Sequence, residues 1–139
     1  MISIIEHELM RFKEHHTNYF NILFHIFCGS IYMSSLFLLT PDSTIAVLLY
    51  FWFLSVTLND YYIGIFISFI LLAVIDQIKK QKVSNNNLFL TFICFYFLSA
   101  ISHYLCGEPT VLILNDITLQ DVLINTFYFI PFSIYSLSQ

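Results

Sequence analysis

Apolar residues run almost unbroken through most of this chain, and the polar positions that interrupt them mark where elements begin and end. No Asp, Glu, Lys or Arg occurs between Glu14 and Asp42, between Val83 and Gly107, or from Val122 to the C-terminus. Each run is long enough for a spanning helix, which needs about 20 mostly apolar residues. Two shorter apolar stretches, Ile45 to Leu58 and Tyr61 to Ile75, lie between them, split by the turn pair Asn59-Asp60.

This pattern predicts an all-α fold, an integral-membrane helical bundle of four to five spans forming one domain over residues 1–139. Spans are expected at about 22–40, 45–58, 61–78 and 88–105, with a fifth candidate over 121–137 that contains Pro131. The second is short: its 14 residues cover only about 21 Å, so it must thin the bilayer or borrow its polar flanks. Asn18 and Asn21 are suitable caps before span one, and Pro41-Asp42 ends it. "KKQKVSNNN" reads as an exposed loop, and Gly107 with Pro109 should stop span four. Over residues 3–16, Ile4, Ile5, Leu9 and Phe12 fall near one helical face, away from Glu6, Arg11, Lys13 and Glu14. That amphipathic segment is expected to be an interfacial helix lying on the membrane. Its acids and histidines occupy the place of a basic n-region, so it is not read as a signal peptide, and the first span should remain in the mature protein.

Composition sharpens the class. The chain is 58% hydrophobic, 19% aromatic and 10% charged, where soluble domains carry roughly 25% charged residues. A multi-pass membrane protein is therefore expected, in the endoplasmic reticulum if eukaryotic or the inner membrane if bacterial, with membrane lipid as its surroundings and a soluble core as the second choice. All basic residues lie at Arg11, Lys13 or within Lys79–Lys82. No basic stripe exists to neutralise phosphates, so nucleic acid is excluded as a partner. The same near-balance between the two faces removes the usual signal for orientation, and the pattern carries no signal for oligomeric state. Cys28, Cys94 and Cys106, an odd number within apolar segments, read as free thiols.

Against this background, "KEHHTNYFNILFHIFCG" at 13–29 is out of character. An imidazole within a span is costly and marks a functional hypothesis, and two are expected there: His25 in the first turn of span one and His103 in the last turn of span four. With alternating spans, both lie at one face of the membrane. A single straight helix cannot bring His16 to His25, because nine residues leave their side chains about 180° and about 13 Å apart. "TNYFN" supplies the break, after which His15 or His16, His25 and His103 can aim at one point.

Three neutral imidazoles, or two with a carboxylate, suit Fe(II), Zn(II) or a similar ion, and three protein ligands leave positions open for substrate. Glu14 and Glu108 are the flanking carboxylates, and Asn21 is placed to orient a histidine. A competing arrangement uses "HIFC" at 25–28 and "HYLC" at 103–106, whose His and Cys at i, i+3 could form a closed Cys2His2 zinc site in a non-enzymatic protein. Histidines that merely bond neighbouring helices are the plainest alternative. His7, between two glutamates, reads as solvated. Gly-rich phosphate loops, GxSxG elbows and CxxC pairs are absent, and no pair of broken helices suggests a transporter.

Phe12, His16, Asn18, Asn21 and His25, with a later helix ending in "ISHYLCGEPTVLIL" through His103, Glu108 and Pro109, resemble the membrane 2-hydroxy fatty acid dioxygenases of fatty acid alpha-oxidation. "LLAVID", ending at Asp76, is similar too, and the resemblance extends from about residue 8 to 131. Tyr19 stands where the family has a turn proline, Cys28-Gly29-Ser30 replaces a Gly-x-Pro, and the glutamate lies five residues after His103 rather than four. What the resemblance implies is an Fe(II)-dependent enzyme that uses O2 to shorten a 2-hydroxy fatty acid by one carbon. It implies metal ligation by His16, His25 and His103, with His15 in reserve and Glu108 as fourth ligand or acid/base.

Overall fold

A computed structural model of the chain describes residues 2–108 and 118–137. Six helices follow one another: α1 (Ile2–His15), α2 (Tyr19–Leu38), α3 (Ser43–Leu58), α4 (Tyr61–Lys80), α5 (Asn85–Cys106) and α6 (Leu119–Leu137). No strand occurs among the described residues. Three helices, α2, α4 and α5, are long and apolar enough to cross a membrane, whereas α3 and the Val122–Leu137 part of α6 are shorter apolar helices.

Short polar side chains start the helices. Asn18 accepts from the amides of Phe20 and Asn21, Asp42 from Thr44 and Ile45, Asp60 from Tyr62 and Ile63, and Ser84 from Asn87. Each satisfies backbone donors that a helix N-terminus otherwise leaves unpaired. Asn59 and Gly107 end α3 and α5 in the left-handed region, at φ 52° and 68°. Asn59-Asp60 thus closes one helix and opens the next with no residue to spare.

Several expected boundaries move. Asn18 alone caps α2, so the helix begins at Tyr19 instead of 22, and Asn21 is buried within its first turns rather than capping it. Asp42 likewise starts α3 two residues before the expected 45. The loop read as "KKQKVSNNN" contracts to residues 81–84, because Lys79 and Lys80 continue α4 and the Ser84 cap draws Asn85–Asn87 into α5. An i, i+4 pair, Lys80 Nζ to Asp76 Oδ2 at 2.6 Å, supports that last turn of α4. Pro109, expected to stop the fourth span, lies outside the described residues.

α2 is the central helix, packing on α4, α5 and α6. Within its apolar window 61% of residues are buried, against 22% for α4 and for α5. Where α6 crosses α2, Gly29 lets the helices close: a Cβ there would lie 2.8 Å from Ile130 Cγ1. Gly64 does the same for α3 and α4, where a Cβ would meet Ser55 Oγ at 2.8 Å. Pro131 sits inside α6 and is fully buried. Lacking an N–H, it leaves the Phe127 carbonyl without its helical donor. The Tyr50 hydroxyl of α3 donates to that carbonyl at 2.5 Å, and the Tyr32 hydroxyl of α2 donates to Thr126 O at 3.1 Å. Near the end of α6 the Tyr135 hydroxyl donates to Asp60 Oδ2 at 2.9 Å, so α6 runs alongside α3 toward the α3–α4 turn. α1 packs on α6 and α3, burying Ile5 and Phe12.

Candidate metal centre

The break that the histidine spacing requires is present. α1 ends at His15, and residues 16–18 turn the chain before Asn18 caps α2. His16 follows α1 immediately and is held by a backbone bond from its amide to Lys13 O at 3.3 Å. His25, expected in the first turn of its helix, stands in the second because α2 starts earlier. His103 lies in the last turn of α5 as expected.

These three rings converge. His25 Nε2 is 2.9 Å from His16 Nε2 and 2.9 Å from His103 Nε2. Ligand atoms of all three lie within 4.8 Å of one another, and the group could hold a metal ion. The rings are buried, His25 entirely. Phe12 stacks on His16 with centroids 3.6 Å apart and planes 7° from parallel, and Phe129 of α6 lies 4.4 Å from the His25 ring.

The opposite ring nitrogens explain the orientation. His16 Nδ1 is 2.7 Å from Phe12 O. A carbonyl only accepts, so His16 carries its proton on Nδ1 and presents a lone pair at Nε2. His25 Nδ1 is 3.4 Å from Ser102 Oγ. The Ser102 hydroxyl proton goes to Ser99 O, at 2.6 Å, or to Asn21 Oδ1, which leaves its oxygen to accept from His25 Nδ1. His25 then also presents a lone pair at Nε2. Two lone pairs 2.9 Å apart repel unless a cation lies between them. Burial, helped by neighbouring His103 and only partly opposed by the Phe12 carbonyl and Glu108, lowers the His16 pKa from 6.5 to about 3. His16 is therefore neutral near pH 7, the form that binds metal.

Asn21 and Glu108 occupy the next layer. Asn21 Nδ2 lies 3.4 Å from His103 Nδ1 and donates to Glu108 Oε2 at 2.5 Å. Glu108 Oε1 accepts from the Thr17 amide at 2.6 Å, the Thr17 hydroxyl at 3.0 Å and the Asn18 amide at 2.6 Å. Partial burial raises the Glu108 pKa, but the donors from Asn18, Asn21 and Thr17 outweigh it and hold the carboxyl below its usual range. Expected as a fourth ligand or acid/base, Glu108 instead has both oxygens engaged by the α1–α2 turn and by Asn21, and it stands outside the cluster of three rings.

The other candidates separate from the cluster. His15 is half-buried and lines a cleft of about 20 Å³ with Glu8, Arg11 and His16, without joining the three rings. Glu14 is exposed. His7 is 70% exposed at its side chain, with Nδ1 3.4 Å from Glu8. No cysteine belongs to the cluster among the described residues, so the Cys2His2 arrangement does not form; Cys28, Cys94 and Cys106 are free. Sequence reasoning missed Ser102, the Phe12 carbonyl and the Phe129 wall. Ser99 and Ser102 share a helical face with His103, a polar stripe in an otherwise apolar helix that could have marked Ser102.

No protein-family model, curated protein or solved structure matches the chain.

Proposed function

We propose that this protein is a membrane-embedded, Fe(II)-dependent dioxygenase that removes one carbon from 2-hydroxy fatty acids. The observation that carries the metal reading is the convergence of the Nε2 atoms of His16, His25 and His103, with the Nδ1 of His16 turned to the Phe12 carbonyl and that of His25 to Ser102 Oγ. Ligation through one nitrogen, with the other engaged, is the usual arrangement of metal-binding histidine.

Iron, rather than structural zinc, is the ion that the resemblance implies, and no cysteine closes the centre among the described residues. Three protein ligands leave further positions open. When bound there, iron would supply the site's capacity to take the hydroxy-acid head group and O2 and to oxidise the former with the latter. The chain's own part is to present three imidazoles, to keep water from them with Phe12 and Phe129, and to fix the His16 and His25 rings through the Phe12 carbonyl and Ser102.

The substrate class rests on the resemblance around His16, Asn21, His25, His103 and Glu108, and on where the triad falls. His25 and His103 lie close to the ends of two apolar helices, the depth at which a lipid acid presents its carboxylate and 2-hydroxyl while its tail stays in hydrocarbon. In this reading α1 lies along the membrane boundary, its exposed Glu6 and Glu14 toward water.

Purified protein should contain iron and, with Fe(II) and O2, should convert a 2-hydroxy acid to the acid one carbon shorter. His25→Ala and His103→Ala should each abolish turnover while still inserting into membranes. Full activity in both variants would refute the reading. Tightly held zinc that resists exchange, with no turnover, would favour a structural centre instead.

A further inference from the structure

His16 differs from the other two ligands in how it is held. His25 and His103 belong to α2 and α5, the central helix and a neighbour packed along it. His16 belongs to neither: it stands at the start of the three-residue break, at the end of a helix that packs on α6 and α3 and leaves most of its residues exposed or half-buried. Something must fix that break against α5, and one side chain does. Glu108, 91 residues from Thr17 and 90 from Asn18, takes both of their amides and the Thr17 hydroxyl on one oxygen.

We infer that Glu108 is a positioning residue, a clamp that holds His16 in reach of His25 and His103 and so completes the third ligand of the centre. Three features make it suited to this. Gly107, at φ 68°, turns the chain past the end of α5, and the Glu108 amide bonds back to His103 O at 2.9 Å. The clamp is thereby anchored on the residue that supplies another ligand. Its carboxylate lies at the N-terminal end of α2, where unpaired amides and the helix dipole favour negative charge. Its second oxygen takes Asn21 Nδ2 at 2.5 Å, which ties α2 into the same bond set. All three ligand-bearing segments therefore meet at one carboxylate that is not itself among the ligands.

This inference rests on the metal reading above, and its test separates the two. Co(II) serves as the probe, since its visible spectrum reports the ligand set. Glu108→Ala should weaken Co(II) binding about 10-fold or more, within the range typical for groups that orient ligands, and should give the spectrum of His16→Ala. In a His16→Ala background, the same substitution should change affinity by less than about threefold, because two residues acting through one ligand are not additive. A loss in that background beyond this limit would show that Glu108 ligates metal itself or stabilises the protein generally, and would overturn the clamp. Hydrogen exchange of metal-free protein supplies an independent readout. Glu108→Ala should release the Thr17 and Asn18 amides, and Glu108→Gln, which retains one carbonyl oxygen, should keep them protected; equal exchange in wild type and Glu108→Ala would overturn the clamp. Wild-type protein that takes up neither Co(II) nor Fe(II) would defeat the metal reading, while the exchange measurement still decides whether Glu108 holds the turn.

Discussion

Each metal-ligand candidate is defined as much by the atom behind its ring as by the nitrogen in front. Ser102 is the sharpest case. Its oxygen accepts from His25 Nδ1 at 3.4 Å while its own proton is used elsewhere, so it selects the His25 tautomer whose lone pair points at His16 and His103. Ser102→Ala removes that selection and leaves a buried N–H without its acceptor. It should weaken metal binding about 10-fold or more, measured by titration of the purified protein, with helix content by circular dichroism unchanged. Undiminished affinity would mean that packing against Phe12 and Phe129 orients the ring unaided. The histidines were legible in the sequence because polar rings stand out in an apolar run. Their supports were not: the Phe12 carbonyl has no side-chain signature, and serine in an apolar helix is as often bonded to its own backbone, as Ser35 is to Ile31 O. Glu108 was legible as a neighbour of the site, but the amides that claim it belong to a turn whose geometry no residue spacing specifies.

Helix ends followed the sequence where a cap residue stood directly at the edge of an apolar run, as at Asp60, and departed from it where polar residues could join a helix or interrupt one. Lys79, Lys80 and Asn85–Asn87 are helical because a lysine continues a helix readily and a serine cap starts one. α6 shows the reverse problem. Pro131 falls inside the fifth candidate span, and the helix runs through it from Leu119 to Leu137. The reason lies on another helix: Tyr50 of α3 donates to the carbonyl that the proline leaves unpaired. With Tyr50→Phe, that carbonyl is buried without a donor, at a cost of about 1–3 kcal/mol. The expected result is a lower thermal midpoint in detergent, together with faster amide exchange in α6 near Phe129 and Ile130. Pro131→Ala should offset the loss in the Tyr50→Phe background, because alanine restores the helical donor. If the double substitution is no more stable than Tyr50→Phe alone, the tyrosine acts through packing and not through its hydroxyl.

Across the molecule, the centre lies where three separately held segments end: α1 with its turn, the second turn of α2 and the last turn of α5. The bundle elsewhere is joined by apolar contacts, close glycines and tyrosine hydroxyls on backbone carbonyls, but it is at this end that the lone pairs of His16 and His25 face each other, an arrangement that a cation between them relieves. A bound ion therefore stabilises the fold by an amount set only by its concentration relative to its affinity. At one hundred times the dissociation constant that gain is about 2.7 kcal/mol, provided the unfolded chain does not bind. Fe(II) added to chelator-treated protein in detergent should raise the thermal midpoint progressively, and the rise should be absent in His25→Ala, whose ring nitrogen stands 2.9 Å from both others. His16→Ala should retain a smaller rise, since two ligands on α2 and α5 still meet without α1. An equal shift in wild type and His25→Ala would locate the ion elsewhere. A shift lost completely in His16→Ala would mean that α2 and α5 cannot hold metal as a pair, making the arm that carries His16 the element on which the whole centre is assembled.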